Sequence, residues 1–226
     1  MLTNSLYITF HGIGEPAISI EKDEARYFVS EKVYKEIILS LTEIEDTYGI
    51  KIHVTFDDGN ISDLQCGLPA LVDAGRTAAF FVLAGRIDER GYLHSSDLRT
   101  LLDAGMMIGT HGYDHVDWRV LDDKGRQREF VEARDRISQI IGRPVQDIGL
   151  PFGRFDRNVL SHLKALEYRR VYTSARGTTT PGSWFCPRTS ITCDFDPKRD
   201  FAALCSRQAR LKGWLLAHAR KVKYGH

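Results

Sequence analysis

The chain has 226 residues, of which 42% are hydrophobic and 27% charged, with a formal net charge of +1. That length and composition fit one soluble globular domain with a substantial core. They give no global reason to expect nucleic acid or a strongly acidic partner, and no apolar stretch reaches membrane-spanning length. The first residues, Met1 to Ser5, lack a basic segment followed by an apolar one. No signal peptide is therefore expected, and the expected location is cytoplasmic. Cys66, Cys186, Cys193 and Cys205 form no CxxC pair and read as reduced thiols rather than a thiolate zinc site.

Taken in order, Leu6 to Phe10 reads as a buried strand, closed by a glycine- and proline-containing loop from His11 to Pro16. Ser19 to Tyr27 is charged and reads as irregular. Apolar residues at three- and four-residue steps predict a helix over Val29 to Tyr48, with Ser30 as cap and Gly49 as stop. A second strand runs through Ile52-His53-Val54-Thr55-Phe56 and stops at Asp57-Asp58-Gly59. Ser62-Asp63-Leu64-Gln65 has the spelling of a capping box opening a helix, broken or restarted at Pro69. Ala78 to Leu83 is a strand, Ser96 to Ala104 a helix, and Met106 to Thr110 a short strand that delivers His111. Lys124 to Ile141 reads as a long charged helix, Val145 to Leu150 as a strand, Asp156 to Leu166 as a helix and Arg170 to Thr173 as a strand. Trp184 to Cys193 is one more candidate strand, and a basic helix covers about 198–223. Strands alternating with helices through short loops imply parallel units, six or seven of which could close as a barrel.

In such barrels the site lies at the C-terminal ends of the strands. His11, Asp57, Asp58, His111, His115 and Phe152 each follow a predicted strand. Two adjacent acids repel and stay ionised together only beside positive charge. A divalent metal would supply it, or the pair is simply two solvated loop aspartates. His111-Gly112-Tyr113-Asp114-His115 spaces two imidazoles four apart, which on a helical turn places both on one face. Two histidines and a carboxylate are a common set for a catalytic zinc with open positions.

Thr55-Phe56-Asp57-Asp58-Gly59 and His111-Gly112-Tyr113-Asp114-His115 resemble the first two signature motifs of the polysaccharide deacetylase family (NodB homology, carbohydrate esterase family 4). Pro151-Phe152-Gly153 resembles the core of the third, and the likeness runs from about Leu6 to about Arg188. The resemblance implies a deformed (β/α)7-type barrel spanning 1–226 as a single catalytic domain. It implies that Asp58, His111 and His115 hold a divalent metal, zinc first among candidates, and that Asp57 is the general base toward the attacking water. The Phe152 backbone N–H beside Pro151 would stabilise the oxyanion. The implied reaction removes an N-acetyl group from an amino-sugar unit of a glycan or glycan precursor.

Departures from the family pattern shape the remaining expectations. The arginine that holds the base in the common type is replaced by Gly149, leaving Arg119 or Arg154 as candidate substitutes. Leu216-Ala217-His218 spells the late motif that supplies the acid, but it lies in the terminal basic helix. His11 is the better candidate acid, since Phe10-His11 resembles a permuted subset of the family; a structural loop histidine is the alternative. Ala175 stands where related sequences carry an aspartate. Trp118 could line a sugar subsite or belong to the core. The basic C-terminal segment reads as a solvated face, with contact to an anionic membrane as the functional alternative. Two rival functions follow. One is amide hydrolysis or deformylation at a non-glycan C–N bond. The other is glycan binding with weakened or absent turnover.

Overall fold

A computed structural model describes residues 4–224, except for the side chains of Lys22, His218, Arg220, Lys221, Val222 and Tyr224. Seven strands form its centre: β1 (Ser5–Phe10), β2 (Lys51–Asp58), β3 (Ala78–Val82), β4 (Met107–Thr110), β5 (Asp147–Gly149), β6 (Arg170–Thr173) and β7 (Phe185–Ser190). Each pairs in parallel with the next, and β7 returns to β1 with Tyr7 opposite Arg188. The sheet is therefore a closed α/β barrel of seven strands. Its deformation sits at the closing seam. Tyr7 to Thr9 pair with β7, whereas Ser5 and Leu6 pair antiparallel with Thr178–Thr179, a short insert not legible in the sequence.

Alternation along the strands sorts the core into an inside and an outside. Leu6, Ile8 and Phe10, then Ile52, Val54 and Phe56, then Ala78, Phe80 and Val82 face outward into the main hydrophobic cluster under the helices. Tyr7, Ala79, Phe81, Tyr172 and Cys186 pack together as a separate cluster inside the barrel. Both faces are buried, so the strands read as unbroken apolar runs. A further cluster around Trp118, Phe130, Ile148 and Leu160 sits outside β5 and β6.

A short helix at Lys22–Ala25 interrupts the stretch expected to be irregular, and the long helix after it, Glu31–Tyr48, matches its reading: Ser30 Oγ accepts a bond from Val33 N at 3.3 Å, and Gly49 closes it with φ 58°. Ser62 does not cap a helix. Its Oγ instead accepts from Ile13 N at 3.1 Å, pinning the loop after β1, and Asp63–Gly67 forms a wide π-type turn running into a helix at Leu68–Asp73. The stretch after β1 is more ordered than expected, with a ribbon between Gly12–Ile13 and Phe28–Val29. The C-terminal helix is two helices, Pro197–Cys205 and Arg207–Tyr224, broken at Ser206, whose ψ of 151° is extended. The second helix rests on the seam insert: a Cβ at Gly213 would lie 2.5 Å from Thr178 Oγ1. Among the described residues no helix is long and apolar enough to cross a membrane.

Candidate active site

The side chains that the sequence singled out converge at the C-terminal mouth of the barrel. Asp57 and Asp58 are the last two residues of β2, and His11 and His111 immediately follow β1 and β4. Strand alternation separates the roles of the two acids. Asp57 shares the inward parity of Thr55 and points into the barrel. Asp58 has the outward parity, but its backbone takes φ 73°, and this turn brings its carboxylate to the histidines. Asp58 Oδ1 lies 3.6 Å from His111 Nε2 and 3.6 Å from His115 Nε2. All three donor atoms fall within 4.8 Å of one another.

The two histidines do not meet on a helical turn. Residues 111–117 form a loop, in which Gly112 has φ 90° and His115 φ 56°. Glu129, from the helical segment that follows, holds this loop closed. Its buried carboxylate accepts from Tyr113 N at 2.8 Å, Asp114 N at 2.9 Å and Trp118 Nε1 at 3.1 Å. A Cβ on Gly112 would lie 2.3 Å from Glu129 Oε2, so no other residue fits there. Positive φ at Asp58, His115 and Phe152 places three non-glycine residues of the site in a region costing about 1–3 kcal/mol each. Such strain persists where the surroundings over-determine it.

His111 Nδ1 donates to Gly149 O at 3.0 Å, which leaves the Nε2 lone pair facing Asp58. Burial keeps both imidazoles neutral, lowering His111 to about 3 and His115 to about 4. Burial, aided by repulsion from Asp57, raises Asp58 to about 6. Its Oδ1 is buried with no hydrogen-bond donor. Asp57 behaves oppositely. Burial alone would raise it, but the charge of Arg188, with His111 and His11, outweighs burial and holds it at about 2. Arg188 Nη1 donates to Asp57 Oδ1 at 2.6 Å and Nη2 to Oδ2 at 2.7 Å. The guanidinium is fully buried in the barrel, 5.2 Å from the Phe81 ring centre.

Arg188 is the residue that sequence reasoning missed. An arginine at inward parity in a buried strand, two residues after Cys186, was the available signal. Arg119 does not reach Asp57: it is exposed and paired with Asp117 at 2.6 Å, which also takes Arg154 at 3.2 Å. Gly149 has its own reason, since a Cβ there would stand 3.1 Å from His111 Nδ1 and 3.1 Å from Phe81 Cγ. Trp118 is only 1% exposed and packs on Phe130, so it is a core residue and not a sugar subsite. Phe152 is half-exposed at the pocket rim, its ring 4.4 Å from that of His115, and Pro151 is buried behind it. His11 lines the same pocket of about 300 Å³, with Nε2 3.9 Å from Asp57 Oδ2 and its ring 4.9 Å from Tyr27. His218 belongs to the helix Arg207–Tyr224, and its side chain lies outside the described residues.

Fold and site together define an α/β-barrel protein with a two-histidine, one-carboxylate centre and a second, arginine-clamped acid beside it. The profile of the polysaccharide deacetylase family matches residues 45–171, and the chain belongs to that family. Bacillus subtilis (strain 168) YxkH, a protein carrying the polysaccharide deacetylase name, is 23% identical over 146 residues, 65% of this chain and 52% of that protein. The chain thus spans about half the length of this relative. Among solved structures, BC0361, a polysaccharide deacetylase from Bacillus cereus, superposes with a TM-score of 0.77 at 19% identity, covering 90% of this chain and 69% of that one. The Streptococcus pyogenes deacetylase PplD, solved in complex with acetate, gives 0.76 at 17% identity, covering 90% and 99%. At those identities the likeness establishes the fold. Nothing in these likenesses supports membrane contact, the alternative to a solvated face for the basic C-terminal segment.

Proposed function

We propose that the protein is a metal-dependent hydrolase that removes an N-acetyl group from an amino-sugar unit. The observation that carries this reading is the orphaned, buried Asp58 Oδ1 lying 3.6 Å from two neutral imidazole nitrogens, with ionised Asp57 alongside. An oxygen and two nitrogens, desolvated and stripped of competing donors, suit a borderline-soft divalent ion such as zinc. Asp58, His111 and His115 would hold it. All three side chains line the pocket, so an ion held by them would be reachable by water and substrate. One such ion supplies Lewis acidity toward a water and toward the acetamide carbonyl.

The chain's own residues do the rest. Asp57 takes a proton from the attacking water at Oδ2, the oxygen nearest His11 and His111. Arg188 fixes the plane of that carboxylate and keeps it ionised. The Phe152 backbone N–H, turned by its φ of 57°, is the candidate donor to the oxyanion. His11 Nε2 gives the proton that the leaving amine needs as the C–N bond breaks, releasing acetate. The arginine that Gly149 displaces is supplied by Arg188, which favours turnover over a binding-only relative.

The test is acetate release from N-acetylated oligosaccharides. Activity should vanish with a chelator, return with zinc and fall by about 10²–10⁴ in Asp57→Asn. Acetate release that is indifferent to chelator and to Asp57→Asn would sink the reading. Release of formate or a ring-opened product instead would move the protein to the non-glycan amidohydrolases.

A further inference from the structure

One cation in the pocket has no ion-pair partner among the described residues. Arg86 closes the single turn Ala84–Arg86 that follows β3 and is half-buried, its guanidinium 5.0 Å from the centre of the Tyr92 ring. Both residues line the pocket beside Asp58 and His115. Among the described residues no carboxylate comes within ion-pair distance of it, whereas Arg154, which lines the same pocket, and Arg188, buried against Asp57, are both engaged. Arg188 is held by Asp57, and Arg154 donates to Asp117. Elsewhere Arg76 sits on Glu45, Arg169 on Asp147 and Arg128 on Asp114, while Arg99 and Arg210 donate to backbone carbonyls.

The pocket's charges explain what Arg86 is positioned to do. Asp57 is neutralised by Arg188, and the single charge of Asp58 is exceeded by any divalent ion it helps to hold. Arg86 is near enough to influence both Asp58 and His115 electrostatically. Glu24 is the one other acid at this mouth, and it is exposed to solvent. The loaded pocket is thus positive on the Arg86 wall. A half-buried guanidinium beside an aromatic ring carries N–H groups suited to bidentate recognition of a planar or tetrahedral oxyanion. A neutral sugar offers it only hydroxyls.

We infer that Arg86 binds an anionic group carried by the substrate, a carboxylate or a phosphate close to the N-acetylated unit, so that the substrate is an acidic or phosphate-linked amino sugar rather than a neutral chain. The identity of that substrate rests on the deacetylase reading; the anion site itself does not.

The experiment is calorimetric binding to the zinc-supplemented protein. Three probes separate the sources of charge: di-N-acetylchitobiose is neutral, the N-acetylglucosamine–N-acetylmuramic acid disaccharide carries a carboxylate, and UDP-N-acetylglucosamine carries a diphosphate. At least one anionic probe should bind about tenfold or more tightly than chitobiose, the worth of a charge-assisted bond. Arg86→Gln should abolish that preference and leave chitobiose binding and Tm unchanged. Arg86→Lys should retain part of it for a diphosphate and lose it for a carboxylate. If no anionic probe exceeds chitobiose, or if Arg86→Gln keeps the preference, the inference fails. Acetate release from the same probes is scored separately. Arg86-dependent binding without acetate release would overturn the deacetylase reading alone, and acetate release from the preferred anionic probe that is indifferent to Arg86→Gln would overturn the anion site alone.

Discussion

Arg188→Met is the most informative single perturbation. The methionine matches the apolar stem in length but leaves the fully buried Asp57 carboxylate with no counter-charge in place of two bonds at 2.6 and 2.7 Å. Breaking a buried pair from one side costs about 3–5 kcal/mol, because the remaining charge stays desolvated. For a chain of this length each kcal/mol moves Tm by about 2–4 °C, so Arg188→Met should melt roughly 6–20 °C below wild type at pH 7. Asp57 escapes part of the penalty by taking up a proton. Its pKa climbs from about 2, and the acid limb of the activity profile moves to higher pH. Because the folded-state pKa is depressed, the pair's contribution is present above the ordinary value of 3.8 and is lost as pH falls through about 2. The gap between wild type and variant should close over that window. Asp57→Asn combined with Arg188→Met removes both charges and should regain much of the lost stability. Thermal unfolding of the four proteins after chelation measures the cycle. An Arg188→Met protein that melts with wild type, or a double variant that loses the sum of both single effects, refutes the account.

Metal binding should depend on pH through Asp58 alone. Its carboxyl titrates at about 6, while His111 and His115 are already neutral, so affinity is flat above about pH 6 and falls about tenfold per unit below it. Competition against a chelating dye reads this, and a two-proton slope near pH 6 would contradict it. Gly149→Ala forces a methyl to 3.1 Å from His111 Nδ1 and the Phe81 ring, and should cost about 1–3 kcal/mol and weaken metal binding. Unchanged metal affinity would mean the His111–Gly149 bond does not orient the ligand. Trp118→Phe deletes the N–H donated to buried Glu129 and should lower stability by about 1–3 kcal/mol without raising KM for a glycan. A raised KM at unchanged Tm would restore the subsite reading of Trp118.

The chain's local patterns determine a good deal alone. Apolar runs ending in chemistry-bearing residues give the strands and place Asp57, Asp58, His111 and His115 at one end of them, because a strand buried on both faces has to be apolar until it leaves the sheet. Ser30 and Gly49 bound their helix, because capping acts within a few residues. The contacts of longer range are decided by tertiary structure. Arg188 meets Asp57 only because the last strand closes on the first, and no spacing records a partner 131 residues away. Ser62 reaches the loop after β1 instead of capping a helix, because Ile13 N needs an acceptor there. The His111–His115 pair is set by a loop cinched onto Glu129, so a four-residue spacing suggests a helical face that does not exist. Trp118 adjoins the site in sequence yet lies in the core, since its indole N–H completes that same Glu129 cluster. Local sequence fixes which groups stand at a strand's end; closure of the barrel fixes which of them share a charge.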